Sequence, residues 1–131
     1  MLESFFQPRS VAVIGASREA GKLGHDVLKN LVDYNYSGVL YPVNPKGEPI
    51  LGLTCYKSVR DIPGEVDLAV IVIPAKFTLD AVKECAAKKV RALIIITAGF
   101  KEMGREGAEL EKKVTDVARA GGMRIVGPNC L

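Results

Sequence analysis

The residues with the plainest chemical use form one short run, Gly15-Ala16-Ser17-Arg18-Glu19-Ala20-Gly21-Lys22-Leu23-Gly24, directly after a β-branched stretch. Glycines let backbone approach a ligand closely, and a helix that follows offers N–H groups and the positive end of its dipole. The Ser17 hydroxyl and the cations of Arg18 and Lys22 complete a cradle for phosphate. Better-known signatures fail here. The dinucleotide fingerprint GxGxxG needs glycine where Ser17 stands. It also needs an acid after the second strand to hold a ribose, and this chain has Asn44 and then Lys46 there. The P-loop places four residues between its glycine and GK[ST]; here Gly15 and Gly21-Lys22 are separated by five, and Leu23 follows in place of a metal-binding hydroxyl. A nucleotide-phosphate site of another kind remains, set against the plain alternative of a strand-to-helix turn.

Lys46 taken alone is a solvated loop lysine. Its place after the second strand, where other nucleotide sites put an acid, suits a ligand with a phosphate on its ribose. Ile73-Pro74-Ala75-Lys76-Phe77 follows a strand and offers an apolar wall for an adenine ring; the bland alternative is a proline strand stop. Thr97-Ala98-Gly99-Phe100 follows another strand, with small residues and backbone donors beside a ligand, or only a tight turn. His25 is the single histidine and reads as a surface or capping group. Cys55 and Cys85 read as small core residues, and Cys130 has no paired base that would make it a nucleophile. No catalytic residue and no metal ligand set stands out.

The elements that must position these loops follow a rhythm of short apolar run, loop and amphipathic helix. Strands are expected at 11–14, 39–43, near 54–56, at 68–73, 92–96 and 123–126. Helices are expected at 22–34, 78–88 and 106–119, with a helical turn at 58–62. Pro42 lacks a backbone donor, so the second strand should end early. The stretch 68–73 is apolar throughout, the mark of a strand buried on both faces. Alternating strands and helices predict an α/β, Rossmann-like, doubly wound parallel sheet in three αβα layers, with strand order 3-2-1-4-5-6. Ligands then sit at the carboxyl ends of the strands, where the order reverses.

A length of 131 residues suits one domain, 1–131, with a core that needs no crosslink. A net charge of +3 gives no bulk attraction for nucleic acid. Three cysteines without CxxC spacing argue against a disulfide framework or zinc and for a reducing, cytoplasmic setting. The amino-terminal residues lack the regions of a signal peptide, and no apolar run is long enough to span a bilayer. The chain stops just past a strand with no closing helix, as expected of a domain cut from a longer protein.

IGAS (14–17), PVNPK (42–46), VIPA (72–75), ITAGF (96–100) and GPNCL (127–131) occur together and in this order. The set resembles the amino-terminal coenzyme A-binding domain of ADP-forming acetyl-CoA (acyl-CoA) synthetases, which are similar to the α subunit of succinyl-CoA synthetase. The resemblance runs from Phe5 to Leu131. It implies coenzyme A as ligand. The loop matching Ser17 to Ala20, flanked by Gly15, Ala16 and Lys22, would hold its phosphates, and Lys46 its nucleotide end. Ile73, Pro74 and Ala75 would pack on the adenine. Ile96, Thr97 and Ala98 would lie along the pantetheine arm, and Asn129 and Cys130 near the thiol. Succinyl-CoA synthetase has an acid at the place of Ala98, a departure at that contact. The resemblance further implies a parent reaction in which acyl-CoA, ADP and phosphate give a carboxylic acid, ATP and coenzyme A. That reaction runs through a phosphohistidine and an ATP-grasp domain, both elsewhere; this chain alone would bind the cofactor with micromolar or weaker affinity. Three alternatives stay open: a free-standing coenzyme A-binding regulatory protein, an NAD-binding redox domain, and a structural subunit without ligand. No nucleic-acid or membrane partner is expected.

Overall fold

The computed structural model describes residues 7–96, 100 and 103–127. Five parallel strands form one sheet: β1 (Ser10–Ile14), β2 (Val39–Val43), β3 (Leu68–Ile71), β4 (Ala92–Ile95) and β5 (Arg124–Val126), in the order β2-β1-β3-β4-β5. Helices α1 (Leu23–Asp33), α2 (Ala75–Lys88) and α3 (Arg105–Ala120) are the crossovers, and a 3-10 turn spans Val59–Asp61. β1 and β3 are buried at every position, as continuous apolar strands in the middle of a parallel sheet must be. Their alternation divides the core. Ala12, Ile14, Ala69, Ile71, Leu93 and Ile95 pack with Val82 and Cys85 of α2 and Val114 of α3. Val11, Val13, Leu68 and Val70 point the other way, to Leu28 of α1. This is the expected three-layer, Rossmann-like α/β arrangement.

The expected strand near 54–56 shrinks to a single parallel bridge, Val43 to Tyr56, on the outer side of β2. Its two rungs are Tyr56 N–H to the Pro42 carbonyl and Asn44 N–H to the Tyr56 carbonyl, each 2.9 Å. The next rung down would need an N–H on Pro42, which has none. With that bridge counted as a strand, the order is the one expected. Pro42 does not cut β2 short: the strand runs through Val43. Within an extended residue N–H and C=O point to the same side. The carbonyl of Pro42 faces Tyr56, so its donorless nitrogen also faces away from β1. β3 ends at Ile71 rather than at 73, ahead of Pro74, and Pro74 instead starts α2. It is the N-cap, with φ −55°, and the helix begins at Ala75 rather than Thr78. The Thr78 hydroxyl turns back to donate to the Pro74 carbonyl at 3.2 Å.

The order reverses between β2-β1 and β3, so the carboxyl ends of β1 and β3 bound the crevice where a ligand fits.

Candidate functional site

Two hollows meet at that crevice, and Gly15 lines both. Its φ is +97°, and a Cβ there would lie 2.2 Å from the Val72 carbonyl oxygen, so only glycine fits. Gly15 and Ala16 both donate their N–H to the Val43 carbonyl, at 3.0 and 3.2 Å. These two amides therefore shape the loop and are not offered to a ligand. Gly24, in the first turn of α1, lets the helix rest on the loop: a Cβ would meet the Gly15 carbonyl oxygen at 1.9 Å.

The first hollow is a polar cleft of about 460 Å³. Gly15, Ala16, Ser17, Arg18, Glu19 and Lys22 line it from the β1–α1 loop, and Lys46 faces them from the loop after β2. Asn44 joins the two loops. Its Nδ2 donates to the Ala16 carbonyl at 2.7 Å, and its Oδ1 accepts from the Lys46 N–H at 2.8 Å, fixing where Lys46 leaves the backbone. Ser17 is held twice: its carbonyl lies 3.0 Å from His25 Nδ1, and its Oγ accepts from Glu19 N–H at 3.0 Å. Among the described residues the Ser17 O–H meets no acceptor and is left to donate. Arg18 pairs with Glu48 at 2.5 Å, with the two side chains 63% and 54% exposed. An ion pair that exposed contributes at most about 1 kcal/mol, so a phosphate group can displace the carboxylate. Lys22 lies 3.9 Å from Glu19. The cleft thus gathers three cations and one hydroxyl donor over loops locked by backbone hydrogen bonds.

The second hollow, about 350 Å³, is apolar. Ile14, Val43 and Val59 form its floor, and Pro45, Ile73 and Phe77 its walls. Phe77 is 52% exposed, a large apolar face at the mouth with Lys76 Nζ 5.1 Å from its ring centre. Ser58 and Glu84 sit on the rim. A flat apolar ring and an anionic chain joined at Gly15 would match the two hollows together.

Of the other expected residues, Ala20 is exposed and lies outside the cleft lining, and Pro74 is exposed at the N-cap of α2. Ala75 is only 5% exposed beneath the first helical turn, so its methyl belongs to the core. Ile96 is half-buried past the end of β4 and donates its N–H to Ile71. Thr97, Ala98 and Asn129 lie outside the described residues, as do Gly99 and Cys130. Phe77, at the end of the segment expected to wall an adenine, does line the hollow; sequence reasoning missed Asn44, Glu48 and Ile50 in the cleft and Pro45, Lys57, Ser58, Asp80 and Glu84 at the hollow. The Asn44-Pro45 pair is a turn signal that pointed to Asn44. Ser58 and Glu84 carry none, being 26 residues apart on separate elements.

Among the described residues no group of three or more His, Cys, Asp or Glu could hold a metal ion. No described helix is long and apolar enough to cross a membrane.

The acetate–CoA ligase [ADP-forming] II subunit alpha of Pyrococcus furiosus is 53% identical over 131 residues, covering 100% of this chain and 28% of that protein. The acetate–CoA ligase [ADP-forming] I of Archaeoglobus fulgidus is 53% identical over 130 residues, 99% of this chain and 19% of that protein. The dinucleotide forming acetyl-coenzyme A synthetase 1 of Ca. Korarchaeum cryptofilum, in its apo form, superimposes with a TM-score of 0.92 at 42% identity, over 98% of this chain and 28% of that one. The chain thus spans less than a third of the length of these relatives. The family model of the CoA binding domain matches residues 9–131, and this chain belongs to that family.

Proposed function

We propose that this chain is the coenzyme A-binding domain of an ADP-forming acyl-CoA synthetase working in the cytoplasm. The observation that carries the reading is the junction at Gly15 of an apolar hollow and a cleft holding Arg18, Lys22 and Lys46. Coenzyme A has the same division: an adenine ring, then a ribose phosphate and a pyrophosphate. The ring enters between Pro45 and Ile73. Ser17, Arg18 and Lys22 take the pyrophosphate, with Arg18 leaving Glu48 to do so. Lys46, fixed by Asn44, takes the phosphate on the ribose. The pantetheine arm leaves past Ile96 along the strand ends. The domain binds and orients; the proton and phosphoryl transfers of the parent reaction belong to a phosphohistidine domain and an ATP-grasp domain. His25 is tied to Ser17 and serves the loop rather than the transfer. Binding of coenzyme A by the isolated chain is expected in the micromolar range or weaker, because the remaining domains supply part of the enclosure.

Titration calorimetry with coenzyme A, NAD and ATP tests this. Heat with coenzyme A and none with NAD is the expected result. Binding of NAD without coenzyme A would overturn the reading.

A further inference from the structure

The rim of the apolar hollow holds a polar device that burying a ring does not require. Ser58 Oγ donates to Glu84 Oε1 and accepts from the Arg60 N–H at 3.2 Å. Both hydrogen-bonding functions of the hydroxyl are therefore engaged, and its donation fixes the Glu84 side chain. Phe77, Asp80, Ala81 and Glu84 line the hollow from α2; of the two carboxylates Asp80 is exposed, whereas Glu84 is half-buried and held by Ser58. One of its carboxylate oxygens has no partner among the described residues. Lys57 reaches the same rim, but its stem lies along Gly47, with Cγ 3.1 Å from where a Cβ would be, on the side of the loop after β2.

Orientation follows from the neighbouring cleft. If the phosphates lie beside Ser17 and Lys46, the sugar edge of the base must face Gly15, where the two hollows meet. The opposite edge then points down α2. Glu84 is nine residues past Ala75, the first residue of the helix, about 14 Å along its axis. The far edge of adenine carries the 6-amino group, a donor, and a carboxylate is an acceptor only.

We propose that Glu84, held by Ser58, is a specificity-determining residue that accepts a hydrogen bond from the 6-amino group of the adenine. This rests on the coenzyme A reading of the site. It makes Glu84 responsible for base identity, while Lys46 and Arg18 read the phosphates.

The test compares coenzyme A with an analogue in which unsubstituted purine replaces adenine, by calorimetric titration of the chain. The analogue loses only the donor. A hydrogen bond to a charged acceptor corresponds to about tenfold or more in affinity, so the wild type should bind coenzyme A at least about tenfold more tightly than the analogue. Glu84→Met should bring that ratio close to one, Glu84→Gln should keep part of it, and neither should change the ratio of coenzyme A to dephospho-coenzyme A. Equal binding of coenzyme A and its purine analogue by the wild type would overturn the role of Glu84 and leave the site itself standing. So would full discrimination retained by Glu84→Met. The wild-type comparison stands even where a variant does not fold. No binding of coenzyme A at all would overturn the site, and this role with it.

Discussion

The cleft and the hollow share Gly15 but are built by different physics. Every cleft residue that carries charge is on a loop and more than half exposed where it is ion-paired, and the β1–α1 loop is anchored where the side chains of Asn44 and His25 meet the carbonyls of Ala16 and Ser17. The hollow is walled by core. Ile14 is 8% exposed, Val43 4% and Val59 1%, and all three belong to the cluster that packs α2 and α3 on the sheet. Charge placed on loops changes affinity with little effect on folding. Shape cut into a core ties affinity to stability, since removing a wall residue opens a cavity in both senses.

Substitutions separate the two cases. At the shared point, Gly15→Ala should be the most damaging, costing roughly 3 kcal/mol or more, because it combines a left-handed backbone with a backbone clash. Urea unfolding would show it as a lower midpoint, and an unchanged midpoint would mean the loop can move away from Val72. Ile14→Ala should cost about 3 kcal/mol and weaken coenzyme A binding at the same time. Stability lost without affinity would detach the hollow from the ligand. Lys46→Ala should do the reverse: an unfolding free energy within about 0.5 kcal/mol of wild type, with coenzyme A weakened about tenfold and dephospho-coenzyme A much less. Equal weakening of both ligands would remove the ribose phosphate from its role. The smallest effect is expected at Cys85, in the core below the hollow. Burial, helped by the charge of Glu84, pushes its thiol up to about 12 from an ordinary 9.0. Thiolate is the reactive form, so at pH 8 the native protein should leave Cys85 unalkylated by iodoacetamide in peptide mapping, and urea should expose it. Rapid labelling of the native chain would show that α2 opens readily.

The cleft was more legible in sequence than the hollow for the same reason. Ser17, Arg18 and Lys22 are consecutive or nearly so, and local spacing carries that information. Ser58 and Glu84 meet only because the β3–α2 crossover lays α2 against the 3-10 turn, and no local pattern encodes that. The strand rhythm was legible because β-branched runs mark buried parallel strands. Two prolines were read by half. Pro74 announces a strand end and equally a helix start, and Pro42 harms a strand only on the side toward which its nitrogen points. That side depends on pairing, which a single chain read linearly does not state. Asn44 sits between these extremes, since its turn chemistry is local while its partner Ala16 is 28 residues away.

Pro42 has one more effect, outside the site. An exposed strand edge is a template on which another chain can add itself and start an aggregate. The outer edge of β2 is occupied at Val43 by Tyr56, and just below it the missing N–H removes a rung that any incoming strand would need. The proline that β2 tolerates on its way to the ligand crevice therefore also removes a rung on which a further strand would build at that edge.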